Sequence, residues 1–340
     1  MEGKKGRGQF YTVRSSYILE GLPAPPKTCR CVIEPFAGKG DLIPVWPNVE
    51  AYDIEPKAQG IVQRDTLSDP PDYKDAWVIT NPPYLARNKS VSKAIFDKYS
   101  TNDLYKCFML SLCAGDAAGG VIIIPAGFFL SPRNVDSTCR GEFMKKYKIL
   151  KVKYFEETVF PDTPTTVVAV AFERSPTPLK EQSVEWVQRP SGRTKTFTVR
   201  ADEDWIIGGG IYKLNGPAKI RRFVQGQKLK TGEHLTGLWL TALDSGTAGG
   251  RIKLEYKDGD PYPAKDTSRT FATLTIEGRT LTVDEQKTVA NEFNKFIENL
   301  REETWSLFLP QYRESKEYAR KRIPFDLVYS IVAHLLTQSK

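Results

Sequence analysis

The pattern of apolar and polar positions divides the chain into two textures. Between residues 30 and 174, apolar runs of strand length alternate with helix-length segments. The strand candidates are "CRCVIEPF", "VEAYDIEP", "AWVITNPP", "GGVIIIPA", "KILKVKYFEE" and "TTVVAVAFE". Several are almost continuously apolar, which suits strands buried on both faces. "SVSKAIFDKYSTNDLYKCFMLSLCAG", between the third and fourth, reads as one or two helices. Together they predict an α/β fold, a sheet with helices on both faces.

"ERSPTPLKEQ" (Glu173–Gln182) reads as a linker. It sets an expected boundary between domains covering residues 1–174 and 175–340. Beyond it the strands shorten. "FATLTIEGRTLTV" reads as a hairpin with Gly278 in the turn. Val289, Phe293, Phe296, Ile297 and Leu300 then share one face of a long helix, and "TVDE" offers it a capping box. "PFDLVYSIVAHLL" predicts a final helix, so the second domain reads as α+β.

Composition narrows the chemistry. The 340 residues include 40% apolar ones, enough for a sizeable core, and length alone suggests two domains. The net charge of +8 is spread along the chain. Residues 1–174 hold 23 Lys/Arg against 20 Asp/Glu, and the rest hold 26 against 21. Charge by itself therefore argues only weakly for a polyanionic partner. Five cysteines without paired CxxC spacing speak against a disulfide framework and a zinc site. With two histidines, His234 and His334, a histidine metal centre or a Ser-His-Asp triad is not expected. No apolar run is long enough to span a bilayer, and "MEGKKGRGQF" lacks a signal h-region. The expectation is a soluble protein of the cytoplasm or another DNA-containing compartment, not secreted, with no membrane and no metal.

"VIEPFAGKGDL" runs from a strand into a glycine loop. After a strand of an α/β sheet, such a loop lies at the carboxyl edge, where ligands bind. It is neither a Walker A loop nor a full GxGxxG motif, and by itself it is equally well a plain turn. Asp53 closes the next strand, where a carboxylate can accept ribose hydroxyls. Asp65 follows a further short strand and could accept the amine of an adenine ring. Alone, each Asp is as well explained as a cap or a solvated loop residue. In series they describe a pocket for an adenosine-bearing ligand without phosphate-binding lysines.

Asn81-Pro82-Pro83-Tyr84 ends the third strand candidate. Chance supplies such a tetrapeptide in on the order of one chain in a hundred. A polyproline turn would explain it locally, but not its place after the glycine loop and the acidic strand ends. Its chemistry suits an exocyclic amine, whose lone pair is delocalised into the ring. The Asn81 carboxamide oxygen and the Pro82 carbonyl can accept its two N–H bonds and free that lone pair. Pro83 has no N–H and holds the segment extended, so the carbonyl is fixed in direction. Tyr84 offers a face for a base taken out of its helix.

"EPFAGKG", "YDIEP", "RDTL" and "NPPY" follow the order and spacing of S-adenosylmethionine-dependent amino-methyltransferases. The chain resembles an N6-adenine DNA methyltransferase of restriction–modification type. Its motif order is similar to the gamma-like arrangement, in which a target-recognition domain follows a Rossmann-like catalytic domain. "GQFYT" (Gly8 to Thr12) resembles the first cofactor-contact motif of that family, and "ETVFPDTPTTVVAVAFE" a late catalytic-domain motif. The resemblance covers roughly residues 8–174.

It implies S-adenosyl-L-methionine as cofactor, held by Tyr11, Thr12, Glu34, Pro35, Ala37, Gly38, Gly40, Asp53, Ile54 and Asp65. It implies catalytic roles for Asn81, Pro82, Pro83 and Tyr84, with Phe160 against a flipped base. Glu34 stands where many relatives have Asp. The implied partners are double-stranded DNA and a separate cognate restriction endonuclease, with the chain itself a monomer.

C5-cytosine chemistry is set aside, because no cysteine follows a proline. N4-cytosine and RNA adenine amino-methylation share the electronic problem, as does glutamine methylation of protein. Asn81, where N4-cytosine enzymes more often have Ser, favours adenine. A rival outside enzymes is an inactive DNA-recognition subunit, but both motifs are intact. In the second domain, Arg251 sits in the glycine-rich "LDSGTAGGRIKLEY", and Arg313, Lys316 and Arg320 share a helical face in "QYRESKEYARKRIPF". These four are the candidate DNA contacts, with Arg221-Arg222 and Lys228/Lys230 as similar cases. An ordinary solvated face explains them equally well.

Overall fold

A computed structural model describes residues 8, 10–46, 48–160, 163, 165–244, 250–312 and 320–338. The chain divides into two compact units, the first running to Trp205 and the second beginning at Ile206.

The first unit is built on a mixed sheet. Its strands are β1 (Val32–Glu34), β2 (Val49–Asp53), β3 (Val62–Gln63), β4 (Trp77–Thr80), β5 (Gly119–Pro125), β6 (Tyr147–Phe155), β7 (Val167–Arg174), β8 (Glu181–Arg189) and β9 (Thr194–Arg200). They stand in the order β3-β2-β1-β4-β5-β7-β6-β8-β9. Strands β1 to β5 pair in parallel, and β7 runs antiparallel between β5 and β6. The winding direction reverses between β1 and β4. In a doubly wound sheet that reversal opens a crevice at the carboxyl ends of the strands. The apolar runs behave as read: β4 is buried throughout and β5 at all but its last residue.

The boundary expected at 174/175 is corrected to 205/206. Strand β8 pairs in parallel with β6, and β9 returns antiparallel on β8, so "ERSPTPLKEQ" is a turn within one sheet. Its prolines interrupt the ladder without ending it. In β8 only Val184, Trp186 and Gln188 are buried, the alternation of a strand packed on one face.

The helices of this unit are α1 (Ser15–Leu19), α2 (Ala94–Lys98), α3 (Leu104–Gly115), α4 (Gly127–Leu130) and α5 (Asn134–Lys146). The long helical segment before β5 is thus two helices. It breaks at Ser100-Thr101-Asn102-Asp103, where Ser100 takes φ +49°. Short polar side chains of this kind compete with the helix for backbone groups.

The second unit is α+β. Its strands are β10 (Ile220–Phe223), β11 (Glu233–Thr241), β12 (Leu243–Asp244), β13 (Lys253–Tyr256), β14 (Phe271–Glu277), β15 (Gln311–Tyr312) and β16 (Arg320–Arg322). An antiparallel sheet β10-β14-β11-β13 and a small sheet β12-β16-β15 accompany α6 (Val283–Thr304) and α7 (Phe325–Gln338). Thr282 and Glu285 form the capping box of α6. Val289, Phe293 and Ile297 are buried against Leu240, Leu274 and Ile331, and Phe296 and Leu300 pack at the rim. The hairpin expected at Gly278 does not form. Gly278, at φ +90°, turns the chain from β14 toward the cap of α6.

Candidate functional site

The carboxyl ends of β1, β2 and β4 converge on the crevice. After β1 the chain turns through Gly38 (φ +53°) and Gly40 (φ +83°), a region costly for any residue with a Cβ. The Gly38 N–H donates to Asp53 Oδ2 at 2.8 Å, and the Glu55 N–H donates to Oδ1 at 2.7 Å. Asp53 therefore ties the glycine loop to the end of β2 and keeps further lone pairs. A Cβ on Gly38 would lie 2.8 Å from the Tyr11 ring, so the loop accepts that ring only as glycine.

A cleft of about 430 Å³ opens here, within the size range of small-molecule sites. Seven of the sequence candidates line it: Tyr11, Gly38, Asp53, Ile54, Asp65, Asn81 and Pro83. Ile54 is 48% exposed, an apolar surface kept open beside Asp53. Asp65 accepts the N–H groups of Leu67 and Ser68 and the Ser68 hydroxyl, so it caps its own turn as well as facing the cleft. Arg64, the cation of the lining, is turned onto the carbonyls of Asp69 and Pro70. Phe10, Phe36, Leu85, Ser90, Ser92 and Ile95 complete much of the wall. Phe36 and Leu85 adjoin residues the motifs singled out, whereas Ser90, Ser92 and Ile95 carry no signal in the sequence.

At the end of β4, Asn81 is 9% exposed. Its Nδ2 donates to the Phe10 carbonyl at 2.7 Å and to Thr12 Oγ1 at 3.2 Å. Its Oδ1 lies 2.5 Å from the Tyr84 hydroxyl, which is also 2.7 Å from the Ile123 carbonyl. One hydroxyl proton serves only one of these acceptors at a time. The Tyr84 N–H donates to the Gly8 carbonyl at 2.9 Å. Gly8, Phe10 and Thr12 are thus bound directly to the NPPY turn.

The remaining candidates lie away from the cleft lining. Thr12 is buried on Asn81. The Pro35 carbonyl accepts from Thr66 Oγ1 at 2.8 Å, and Ala37 packs with Ala51 and Ile61. Gly40 shapes the turn, and Pro82 is buried. Glu34 is buried under the loop, accepting from the Phe36 N–H and the Thr80 hydroxyl. Burial pushes its carboxyl up to about 8, against the opposing pull of those two hydrogen bonds.

Two expected base contacts lie outside the cleft lining. Tyr84 is absent from the cleft lining: its half-buried ring packs near Phe10 (centroids 5.5 Å apart) and edge-on to Tyr105, with its hydroxyl bonded to the Ile123 carbonyl. Burial raises that hydroxyl well above the usual tyrosine range. Phe160 is 2% exposed and packs in the apolar core with Val159 and Val167 instead of offering a face to a base. The Phe160 ring gains more from apolar neighbours than from an open cleft wall.

In the second unit, Arg251 pairs with Glu298 at 3.0 Å on the surface. Arg221 donates twice to Glu233, at 2.7 and 2.5 Å, and Arg222 donates to the carbonyls of Ser268 and Asp266. Arg320 belongs to the short strand β16, not to a helix, and is half-buried. Arg313 and Lys316 lie outside the described residues. Among the described residues, no cluster of His, Cys, Asp and Glu could hold a metal ion, and no helix is long and apolar enough to cross a membrane.

No family model matches the chain, and no curated protein matches it. Solved structures similar to it include a candidate modification subunit of a type I restriction enzyme from Vibrio vulnificus YJ016. That match has 18% identity and a TM-score of 0.42, over 57% of this chain and 49% of the other. A type I restriction–modification complex matches at 18% identity and a TM-score of 0.44, over 56% and 47%. The type I methyltransferase subunit from Streptococcus thermophilus matches at 16% and 0.39, over 54% and 48%. The chain spans about half the length of these structures. With identities and TM-scores this low, any argument about function rests on the residues of this chain.

Proposed function

We propose that the chain transfers a methyl group from S-adenosylmethionine to an exocyclic amino nitrogen, foremost N6 of adenine in double-stranded DNA. The observation that carries this reading is the Asn81 carboxamide, held at the wall of the cleft that also contains Asp53, Ile54 and Gly38.

The cleft residues fit the cofactor. Asp53 retains acceptor capacity for ribose hydroxyls, Ile54 offers an apolar face to a ring, and the Gly38 backbone permits close approach. The one arginine in the lining is engaged elsewhere, which favours a nucleoside without phosphates. When bound, S-adenosylmethionine supplies an electrophilic methyl group. Asn81 Oδ1 then accepts one N–H of the amine, and the Pro82 carbonyl is proposed for the other. These acceptors stabilise the positive charge that develops on the nitrogen. The Ile123 carbonyl gives the Tyr84 proton a second acceptor, so Asn81 Oδ1 can accept from the substrate without orphaning the hydroxyl.

Incubation with labelled S-adenosylmethionine and, separately, duplex DNA, single-stranded RNA and protein tests the reading. Label on N6-methyladenine in duplex DNA is expected. Label confined to RNA or to glutamine would replace the substrate, and no transfer to any of the three would end the proposal.

A further inference from the structure

A carboxamide is nearly symmetric in shape but opposite in its two ends. If Asn81 presented its NH2 to the target amine, the acceptor would be lost and two donors would face each other. Something must select the orientation. A backbone carbonyl can only accept, so the Phe10 oxygen, 2.7 Å from Asn81, takes the NH2 end. The Thr12 hydroxyl accepts the second N–H at 3.2 Å. Thr12 is 5% exposed and Asn81 9%, which leaves little room for water to substitute.

We propose that Thr12, together with the Phe10 main chain, is a positioning residue that sets which end of the Asn81 carboxamide faces the reacting nitrogen. This rests on the amino-methylation reading above. It departs from the cofactor role that resemblance implies for Thr12. That residue is absent from the cleft lining, whereas its neighbour Tyr11 lines the cleft with its ring against Gly38. The segment is docked tightly. Gly8, at φ +68°, gives its carbonyl to the Tyr84 N–H, and a Cβ there would come within 2.5 Å of the Tyr84 carbonyl. Adjacent residues thus touch the glycine loop and the amide. Seating of the cofactor beside Tyr11 and orientation of Asn81 become parts of one assembly.

The test is Thr12→Val with double-stranded genomic DNA as methyl acceptor. Loss of one hydrogen bond to the amide should lower kcat about tenfold. KM for S-adenosylmethionine and the affinity for S-adenosylhomocysteine should stay within about twofold. Thr12→Ser, which keeps the acceptor, should retain most of the turnover. Thr12→Ala removes the same acceptor with a smaller side chain and should lose turnover to a similar extent while still binding S-adenosylhomocysteine. Unchanged kcat in Thr12→Val overturns the proposal. So does a raised cofactor KM at unchanged kcat, which would return Thr12 to the cofactor. If Thr12→Val does not fold, full turnover in Thr12→Ala overturns it. A wild-type protein inactive on every amine would sink the amino-methylation reading itself, an outcome distinct from active wild type with equally active Thr12→Val.

Discussion

The polar groups of the cleft and the basic groups of the second unit are held in different ways. Asp53, Asp65 and Asn81 are anchored chiefly by main-chain groups: the Gly38 and Glu55 N–H, the Leu67 and Ser68 N–H, and the Phe10 carbonyl. Main-chain anchoring orients a side chain and leaves acceptor capacity toward the crevice. Arg221, Arg251 and Arg301 are instead met by the carboxylates of Glu233, Glu298 and Asp244. Their charge is largely balanced within the unit. The cleft keeps unspent chemistry, whereas Arg221 and Arg251, two of the basic candidates of the second half, are already paired.

The largest loss is expected from Asn81→Ala. It removes an acceptor that acts as charge develops, so turnover should fall by about 10²–10³-fold. Affinity for S-adenosylhomocysteine, measured by calorimetry, should remain. Single-turnover rates close to wild type in the folded variant would remove Asn81 from the chemistry.

Asp53→Ala comes next. It deletes the anchor of Gly38 and the proposed ribose acceptor together. Cofactor binding should weaken by roughly 1.5–3 kcal/mol, the scale of hydrogen bonds to a charged group. An unchanged calorimetric affinity would exclude Asp53 from the cofactor site.

Glu34 tests whether the buried floor of the cleft carries a proton. Its folded value of about 8 lies above the ordinary 4.5, so the folded chain holds an extra proton between those values. Unfolding then releases that proton, and this group's contribution to stability falls as pH rises through the window. The slope approaches about 1.4 kcal/mol per pH unit. Glu34→Gln cannot ionise and should flatten the pH dependence of urea unfolding between pH 5 and 8. Parallel profiles for the two proteins would mean that Glu34 is ionised in the fold.

The smallest effects compare the two arginine pairs. Arg221 makes two hydrogen bonds to a buried carboxylate, so Arg221→Ala should cost roughly 1.5–3 kcal/mol of stability. Arg251 and Glu298 are exposed, so Arg251→Ala should cost less than about 1 kcal/mol. If Arg251 contacts phosphate, that variant should still lower the salt slope of DNA binding by about 1. An unchanged slope would leave Arg251 as a surface ion pair only.

Local pattern made much of this legible. The six apolar runs are β1, β2, β4, β5, β6 and β7, and "TVDE" is the cap of α6. Strands of a parallel sheet carry their burial in continuous apolar runs, and a cap needs residues only three apart, so one sequence displays both. The extra strands β8 and β9 were hidden by prolines that mark a turn without saying whether the sheet continues beyond it. The hairpin at Gly278 failed because a glycine with positive φ serves a strand-to-helix turn as well as a hairpin.

At the cleft, motif order by itself determined that Gly38, Asp53, Asp65 and Asn81 share a sheet edge, since parallel strands deliver their following loops to one side. Only the tertiary structure decided the side-chain partners. Phe160 is buried because neighbours distant in sequence supply it with apolar contacts, and the Tyr84 hydroxyl meets the Ile123 carbonyl, 39 residues away. Thr12 meets Asn81 because Gly8 and Phe10 bond to the NPPY turn beside it, 69 residues away between the Thr12 and Asn81 side chains. Spacing along a chain records which strand end a residue follows. Whether its side chain then faces a cleft or a core depends on atoms the local sequence does not contain.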